Sequence, residues 1–128
     1  MKLLLDTQIV IWSAMGDPRL PRAARTAIAD PAATITYSVV TIWEVAIKAA
    51  RGRPDFTHHP RAMREAARRA GWEEVPVLAE HAIEVAQLAD IHGDPFDRLL
   101  VAQARVEGLV LLSADATLLR YGHPVRRA

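Results

Sequence analysis

Acidic side chains stand shortly after apolar runs at four places in the chain: Asp6, Glu44, Asp97 and Asp115. Three of the runs are residues 3–5, 35–37 and 109–112, and Asp97 belongs to the segment 92–97. If the runs are parallel strands, the acids meet at the carboxyl edge of the sheet, where ligands bind in open α/β folds. Crowded carboxylates repel one another, and a hard cation such as Mg²⁺ or Mn²⁺ relieves that repulsion. The chemistry that follows is metal-assisted hydrolysis of a phosphodiester.

Each of these acids also has a structural explanation. Asp6, Asp97 and Asp115 stand where helices are expected to begin, and an acid there stabilises the free amides by about 1 kcal/mol. Glu44 and Lys48 form an i,i+4 pair on a polar stripe, as on a solvated helix face. From the pattern alone, both explanations stay open.

The strands that must position these acids are short. Apolar runs alternate with longer helical patterns, which is typical of βαβ units and of a mostly parallel sheet in an α/β fold. We expect strands at residues 2–5, 34–37, 74–77 and 109–112, and a weaker strand at 124–126. Residues 1–128 are expected to form a single domain.

Capping and helix-breaking residues mark the expected helices in the rest of the chain. The best defined helix has Asp94 as its N-cap, Pro95 at its first position and Gly108 beyond its end. We expect an apolar stripe on a helix over residues 78–89, and a loop over residues 52–59. Further helices are expected over residues 21–29, from Ser38 or Thr41 to Arg51, over residues 60–71, and after Asp6 and Asp115.

The composition excludes several classes of protein. Among 128 residues there is no cysteine, so disulfides and thiolate chemistry are excluded. The net charge of +1 gives no overall attraction to nucleic acid. No apolar run approaches the roughly 18 residues of a membrane span, and the start meets charge too early for a secretory signal. We therefore expect a cytoplasmic protein that does not bind membranes.

Other candidate side chains are assigned structural roles. His58 and His59 lack the spaced partners of a zinc site, and His81 is expected on the surface. Arg98 is expected in an ion pair with a neighbouring acid. The sequence has no glycine-rich phosphate loop and no partner arrangement for a nucleophilic triad. Core packing is expected for most of the tryptophans, which are Trp12, Trp43 and Trp72.

Taken together, the motifs resemble the PIN domain, and within it the VapC-type toxin ribonucleases of bacterial toxin–antitoxin pairs. The resemblance covers nearly the whole chain. It rests on LLDT at residues 4–7, SVVTIWEVAIK at 38–48, HGDPFDRLLVAQA at 92–104 and LLSAD at 111–115. The run DPFDR is the most specific of these blocks.

This resemblance implies a three-layer α/β fold with a central, mostly parallel sheet between helices. It implies RNA cleavage, a homodimer and inhibition by a small cognate antitoxin. It also maps the family's acidic quartet, which binds Mg²⁺ or Mn²⁺, onto Asp6, Glu44, Asp97 and Asp115. We expect Asp6 and Asp97 to ligate the metal most directly, Asp115 to complete the site through water, and Glu44 to position or deprotonate the attacking water.

Two other functions compete with this hypothesis. A phosphotransferase with an aspartate nucleophile would resemble the haloacid-dehalogenase-like proteins, which carry Asp-x-Asp after the first strand, where this chain has Gln8. A non-catalytic module that binds protein or RNA would use the acids only as caps and surface charges. Arginines near the crevice are candidates for RNA contacts, although a solvated basic face is the preferred explanation for the helix that carries most of them: Arg51, Arg61, Arg64, Arg68 and Arg69.

Overall fold

The structure is a computed structural model that describes residues 1–52 and 58–128. The strands within this part are β1 (Lys2–Leu5), β2 (Thr34–Ser38), β3 (Glu73–Val75), β4 (Val110–Ser113) and β5 (Val125–Arg127). The helices are α1 (Thr7–Met15), α2 (Arg22–Ala29), α3 (Val39–Ala50), α4 (Pro60–Arg69), α5 (Ala79–Glu84), α6 (Pro95–Glu107) and α7 (Ala116–Leu119), with a 3₁₀ turn at Val85–Gln87. The predicted strands are confirmed to within one or two residues at each end.

The strands form a parallel sheet in the order β3-β2-β1-β4-β5. Leu4 in the central strand pairs with Thr36 on one side and with Leu111 on the other. Leu3, Leu4 and Leu5 are all buried, because a parallel strand covered on both faces excludes water from every side chain. The predicted fold class, a central parallel sheet between helices, is confirmed.

Helices cover both faces of this sheet. Leu3 and Leu5 belong to a core cluster shared with α1, α2 and α4. Leu4 and Leu111 point the other way, into a cluster shared with α6 and α7. The alternation along β1 therefore divides one hydrophobic strand between two core layers, which gives the three-layer architecture.

Capping residues begin the two helices that carry site residues. Asp94 accepts hydrogen bonds from the amides of Phe96 and Asp97, as predicted. Gly108 ends α6 with φ of 67°, a left-handed conformation that favours glycine. Ser38 caps α3 through the amide of Val40, so the alternative cap at Thr41 is wrong.

The helix predicted over residues 78–89 is only partly correct. α5 ends at Glu84 and continues as the 3₁₀ turn. Its expected apolar stripe is wrong, because Ile83 is 69% exposed, and the surface position of His81 is also wrong, because that side chain is completely buried. Core packing is wrong for Trp43, which is 52% exposed, whereas Trp12 and Trp72 pack against the first core cluster.

Most of the loop predicted over residues 52–59 lies outside the described residues. In the part of the chain that is described, none of the helices has the length and apolar character needed to cross a membrane.

A buried polar cluster joins α3, α5 and α6. The amide oxygen of Gln103 accepts a hydrogen bond from the Ser38 hydroxyl, 2.5 Å away. Its amide nitrogen lies 3.1 Å from the Pro76 carbonyl and 3.3 Å from Nδ1 of His81. That ring nitrogen also accepts from the amide of Leu78. Gln103 therefore holds the cap of α3 and the start of α5 to the middle of α6.

Replacing Gln103 with leucine should lower the free energy of unfolding by about 2–3 kcal/mol, because buried donors and acceptors on Ser38 and Pro76 lose their partner. Urea denaturation followed by circular dichroism measures the change. Gln87→Leu is the matched control: Gln87 is exposed, and its substitution should change stability by less than about 0.5 kcal/mol. Equal effects of the two substitutions would contradict a structural role for the cluster.

Candidate active site

The carboxyl edge of the sheet holds a cavity of about 430 Å³. The four acids predicted from the sequence all line this cavity, and a fifth acid joins them from the cap of α6. The five acidic residues are Asp6, Glu44, Asp94, Asp97 and Asp115. The sequence identified Asp94 only as a helix cap and gave no indication that it lines the cavity.

Different elements bring these acids to one edge. Asp6 and Asp115 stand just past the adjacent parallel strands β1 and β4. Glu44 lies in the second turn of α3, which follows β2. Asp97 lies in the first turn of α6, as the capping pattern predicted. Because α6 leads into β4 and packs back along it, its N-terminus reaches the edge where β4 ends.

Asp6 is almost completely buried, with 4% of its surface exposed. One carboxylate oxygen caps α1 by accepting from the amide of Ile9 at 2.9 Å, and the other accepts from the Ser113 hydroxyl. Burial raises the pKa of Asp6 to about 6 against the lowering effect of these bonds, and the charges of Asp115 and Glu44 raise it further. Asp6 is thus both a helix cap and a desolvated carboxylate.

Glu44 is buried with 8% of its surface exposed, so the solvated helix face is wrong for this residue. Its Oε2 forms the predicted ion pair with Lys48, at 2.9 Å from Nζ. Its Oε1 is buried and has no hydrogen-bond partner among the described residues. A buried acceptor without a partner is costly, and a bound cation or water would satisfy it.

Asp97 and Asp115 differ in exposure, the first half-buried and the second exposed. Burial is the main cause that raises the pKa of Asp97 to about 6, and the charges of Asp94, Glu44 and Asp115 add to it. A hydrogen bond from His92, 3.4 Å away, opposes the rise. Asp115 is exposed and caps α7 through the amides of Thr117 and Leu118.

The donor set fits a hard divalent cation, because it consists of carboxylate oxygens and includes the unpartnered Oε1 of Glu44. Over residues 1–52 and 58–128, however, no three acidic or histidine side chains are arranged to hold one ion. The carboxylates of Asp6 and Asp115 point at helix amides, and that of Asp97 points at His92. Side-chain rotation is therefore needed before several of them reach one ion.

The family model of the PIN domain matches residues 3–124. The chain belongs to the PIN domain family.

Solved structures with the same PIN domain fold span nearly the whole length of both chains. One is VapBC2 from Rickettsia felis bound to a promoter DNA fragment, with TM-score 0.71, 12% identity, and 100% and 99% of the two chains covered. VapBC-1 from nontypeable Haemophilus influenzae gives TM-score 0.67 at 17% identity, and DNA-bound VapBC from Salmonella typhimurium gives 0.67 at 18%. Both cover 100% of this chain and 97% of their own. A comparison with curated proteins gave no match.

Several polar side chains around the site of this PIN domain were not predicted from the sequence. The hydroxyls of Thr7 and Thr41 are joined by a buried 2.9 Å hydrogen bond, which ties α1 to α3 beside the cavity. Arg98 forms no ion pair with an acid in the described part of the chain. Its guanidinium donates to the carbonyls of Ala89 and His92 and to the Tyr121 hydroxyl, so the expected pair is wrong.

Replacing Asp6 with asparagine should stabilise the metal-free protein at pH 7.5. A carboxyl whose pKa rises from 3.8 to about 6 on folding binds protons more tightly when folded, so stability falls as the pH rises through this window. About two pKa units correspond to roughly 3 kcal/mol, and asparagine preserves the cap on α1.

Urea denaturation from pH 4 to 7.5 measures this effect. We expect Asp6→Asn to gain about 1–3 kcal/mol over the wild-type protein at pH 7.5 and to lose the advantage near pH 4. Asp30→Asn, at an exposed carboxylate, is the control and should show no such pH-dependent gain. A less stable Asp6→Asn protein at pH 7.5 would contradict the assigned desolvation.

Proposed function

We propose that this PIN domain is a metal-dependent endoribonuclease and the toxin of a toxin–antitoxin pair. The observation that carries the proposal is the convergence of acids from separate elements on one cavity. Two of these acids, Asp6 and Asp97, have pKa values raised to about 6, and Glu44 keeps a buried oxygen without a partner among the described residues. Such crowding is unfavourable in the metal-free protein and becomes favourable when a dication binds.

Asp6 and Asp97 are the residues that would hold Mg²⁺ or Mn²⁺ most directly, and Asp115 would complete the site through water. When bound, the dication supplies Lewis-acid activation of water and offsets negative charge at the phosphate. Asp6 is the most rigid member, because both of its oxygens are already held by Ile9 and Ser113.

Glu44 is suited to orient the attacking water and to accept its proton. Glu44 lines the cavity, its buried Oε1 has no hydrogen-bond partner within the described part of the chain, and Lys48 holds Oε2. Lys48 lines the same cavity and brings positive charge close to where the phosphate would lie. The pair therefore combines a proton acceptor with a group that attracts the anionic backbone.

RNA is the substrate that the resemblance to VapC-type toxins implies. The basic helix α4 remains best explained as a solvated face, since Arg61, Arg68 and Arg69 are exposed and Arg64 pairs with Glu74 at 2.7 Å. We assign the phosphate contacts of the reaction to groups that line the cavity.

The binding partners that we propose for this chain are those suggested by similar structures. The similar structures from Rickettsia felis, Haemophilus influenzae and Salmonella typhimurium are VapBC complexes, and one from Klebsiella pneumoniae is described as a toxin–antitoxin complex. We infer a cognate antitoxin, a homodimeric toxin and action in the cytoplasm. A small protein encoded in the neighbouring reading frame should copurify with this chain and inhibit its RNase activity.

The competing functions have less support. A phosphotransferase of the haloacid-dehalogenase type would carry a second aspartate two residues after Asp6, where this chain has Gln8. A non-catalytic module explains Asp6 and Asp115, which do cap helices, but leaves the buried Oε1 of Glu44 unexplained. Metal binding separates the nuclease from the non-catalytic module, and RNA cleavage separates it from the phosphotransferase.

Asp97→Asn should lower RNA cleavage by at least about a hundredfold, because it removes a charged ligand while keeping an isosteric side chain at the start of α6. Incubation with total RNA, with and without EDTA, followed by mapping of the new ends, measures the activity. Asp90→Asn, at an exposed acid outside the cavity, is the control and should cleave like the wild type. Undiminished cleavage by a folded Asp97→Asn protein would refute the assignment.

Mn²⁺ should raise the melting temperature of the wild-type protein, since a ligand at 100 times its Kd stabilises the folded state by about 2.7 kcal/mol. The shift should be large at pH 7.5 and small at pH 5, because protons compete for Asp6 and Asp97 below their pKa of about 6. Differential scanning fluorimetry measures both values. A triple asparagine variant at Asp6, Asp97 and Asp115 should show no shift, and the non-catalytic module predicts none for the wild type either.

A further inference from the structure

A chain of hydrogen bonds leads from Arg98 to the acidic cavity. Nη1 of Arg98 lies 3.1 Å from the hydroxyl oxygen of Tyr121. The same oxygen lies 2.9 Å from Nδ1 of His92. Nε2 of His92 lies 3.4 Å from Oδ2 of Asp97. Four side chains therefore stand in series, and the last one lines the proposed active site.

Arginine fixes the direction of the first bond in this series, because a guanidinium donates hydrogen bonds and cannot accept them. The Tyr121 oxygen accepts from Arg98, and this leaves the hydroxyl hydrogen available for a bond to His92. Nδ1 of His92 is then the acceptor, and the ring proton sits on Nε2, which faces the carboxylate. In that arrangement Arg98 sets the tautomer of His92 through the Tyr121 hydroxyl.

Several further hydrogen bonds hold Arg98, the first residue of the series. The guanidinium of Arg98 also donates to the carbonyls of Ala89 at 3.0 Å, His92 at 3.3 Å and Val85 at 3.4 Å. The rings of His92 and Tyr121 meet edge to face, with centroids 5.5 Å apart, which restricts the rotation of both. The histidine side chain is only 17% exposed.

We propose that His92 is a positioning residue that orients the carboxylate of Asp97, with Tyr121 and Arg98 setting its tautomer. The inference rests on the proposed metal-dependent nuclease and names the group that prepares one of its ligands. A hydrogen bond to Oδ2 fixes the plane of the carboxylate and leaves Oδ1 for the ion. Partners of this kind around a metal ligand typically change metal affinity about 10- to 100-fold when removed.

Three substitutions and one matched control test the proposal. His92→Leu removes the donor to Asp97, and His92→Gln retains an amide donor near the position of Nε2. Tyr121→Phe removes only the hydroxyl that selects the tautomer. Tyr37→Phe makes the same chemical change elsewhere, where the hydroxyl bonds Glu74 at 2.8 Å. Thermal melts establish which variants remain folded.

The first measurement is the ¹⁵N NMR signature of His92 in the metal-free protein at pH 7.5. We expect a neutral ring protonated on Nε2 in the wild type and in Tyr37→Phe, and a mixture of tautomers in Tyr121→Phe. A ring protonated on Nδ1 in the wild type, or an unchanged signature in Tyr121→Phe, would overturn the proposal.

The second measurement is Mn²⁺ affinity by calorimetry. We expect Kd to rise about tenfold in His92→Leu and about threefold in Tyr121→Phe, to recover in part in His92→Gln and to stay unchanged in Tyr37→Phe. Unchanged or tighter binding in His92→Leu would overturn the positioning role. If the wild type bound no Mn²⁺, the proposed function would fail instead, and the ¹⁵N signature would still show whether the hydrogen-bond series exists.

Discussion

Desolvation of the Asp6 carboxylate is the constraint on which the rest of the site depends. The residue lies where β1 ends beside β4, and burial there raises its pKa to about 6 although Ile9 and Ser113 both donate to it. The neighbouring charges of Asp115 and Glu44 raise it further. A fold that buries a carboxylate in this way carries a free-energy cost that a dication would offset. The chemistry of the cavity therefore follows from the place where the central strand ends.

The sheet topology explains how a few strands and helices bring the acids of the cavity together. With β1 in the centre of the order β3-β2-β1-β4-β5, its neighbours lead away in opposite directions along the sheet. The carboxyl ends of β1 and β4 then border a crevice, which is the position where open α/β sheets bind ligands. α3 and α6 add Glu44 and Asp97 from either side, and the buried contact between Ser38 and Gln103 ties these two helices together. The acids are thus distant in sequence and held by one hydrogen-bonded framework.

The sequence correctly predicted elements whose formation depends on residues close together in the chain. The buried run in β1 and the sequence Asp94-Pro95 with Gly108 predicted a strand and a helix correctly, because their causes are local. The surface prediction for His81 failed because its ring is buried and contacts Gln103 of α6, which is distant in sequence. Glu44 resembles any solvated i,i+4 partner of Lys48, and only packing shows that one oxygen is buried. Asp97 was predicted at the start of a helix, and the local pattern could not show that α6 brings this helix start to the cavity.

Hydrogen bonds hold the acids of the cavity with different firmness, and this difference favours the binding of an ion. Asp6 is fixed by a backbone amide and by the Ser113 hydroxyl, so its position is part of the fold itself. Asp97 is held through one oxygen, by the 3.4 Å contact with His92, so its carboxylate is less constrained than that of Asp6. A rigid ligand supplies a fixed point for the ion, while an adjustable one lets the like charges stay apart until the ion arrives. Because like charges at short range oppose each other in the metal-free state, a site fully assembled beforehand would destabilise the fold more than this partly assembled one does.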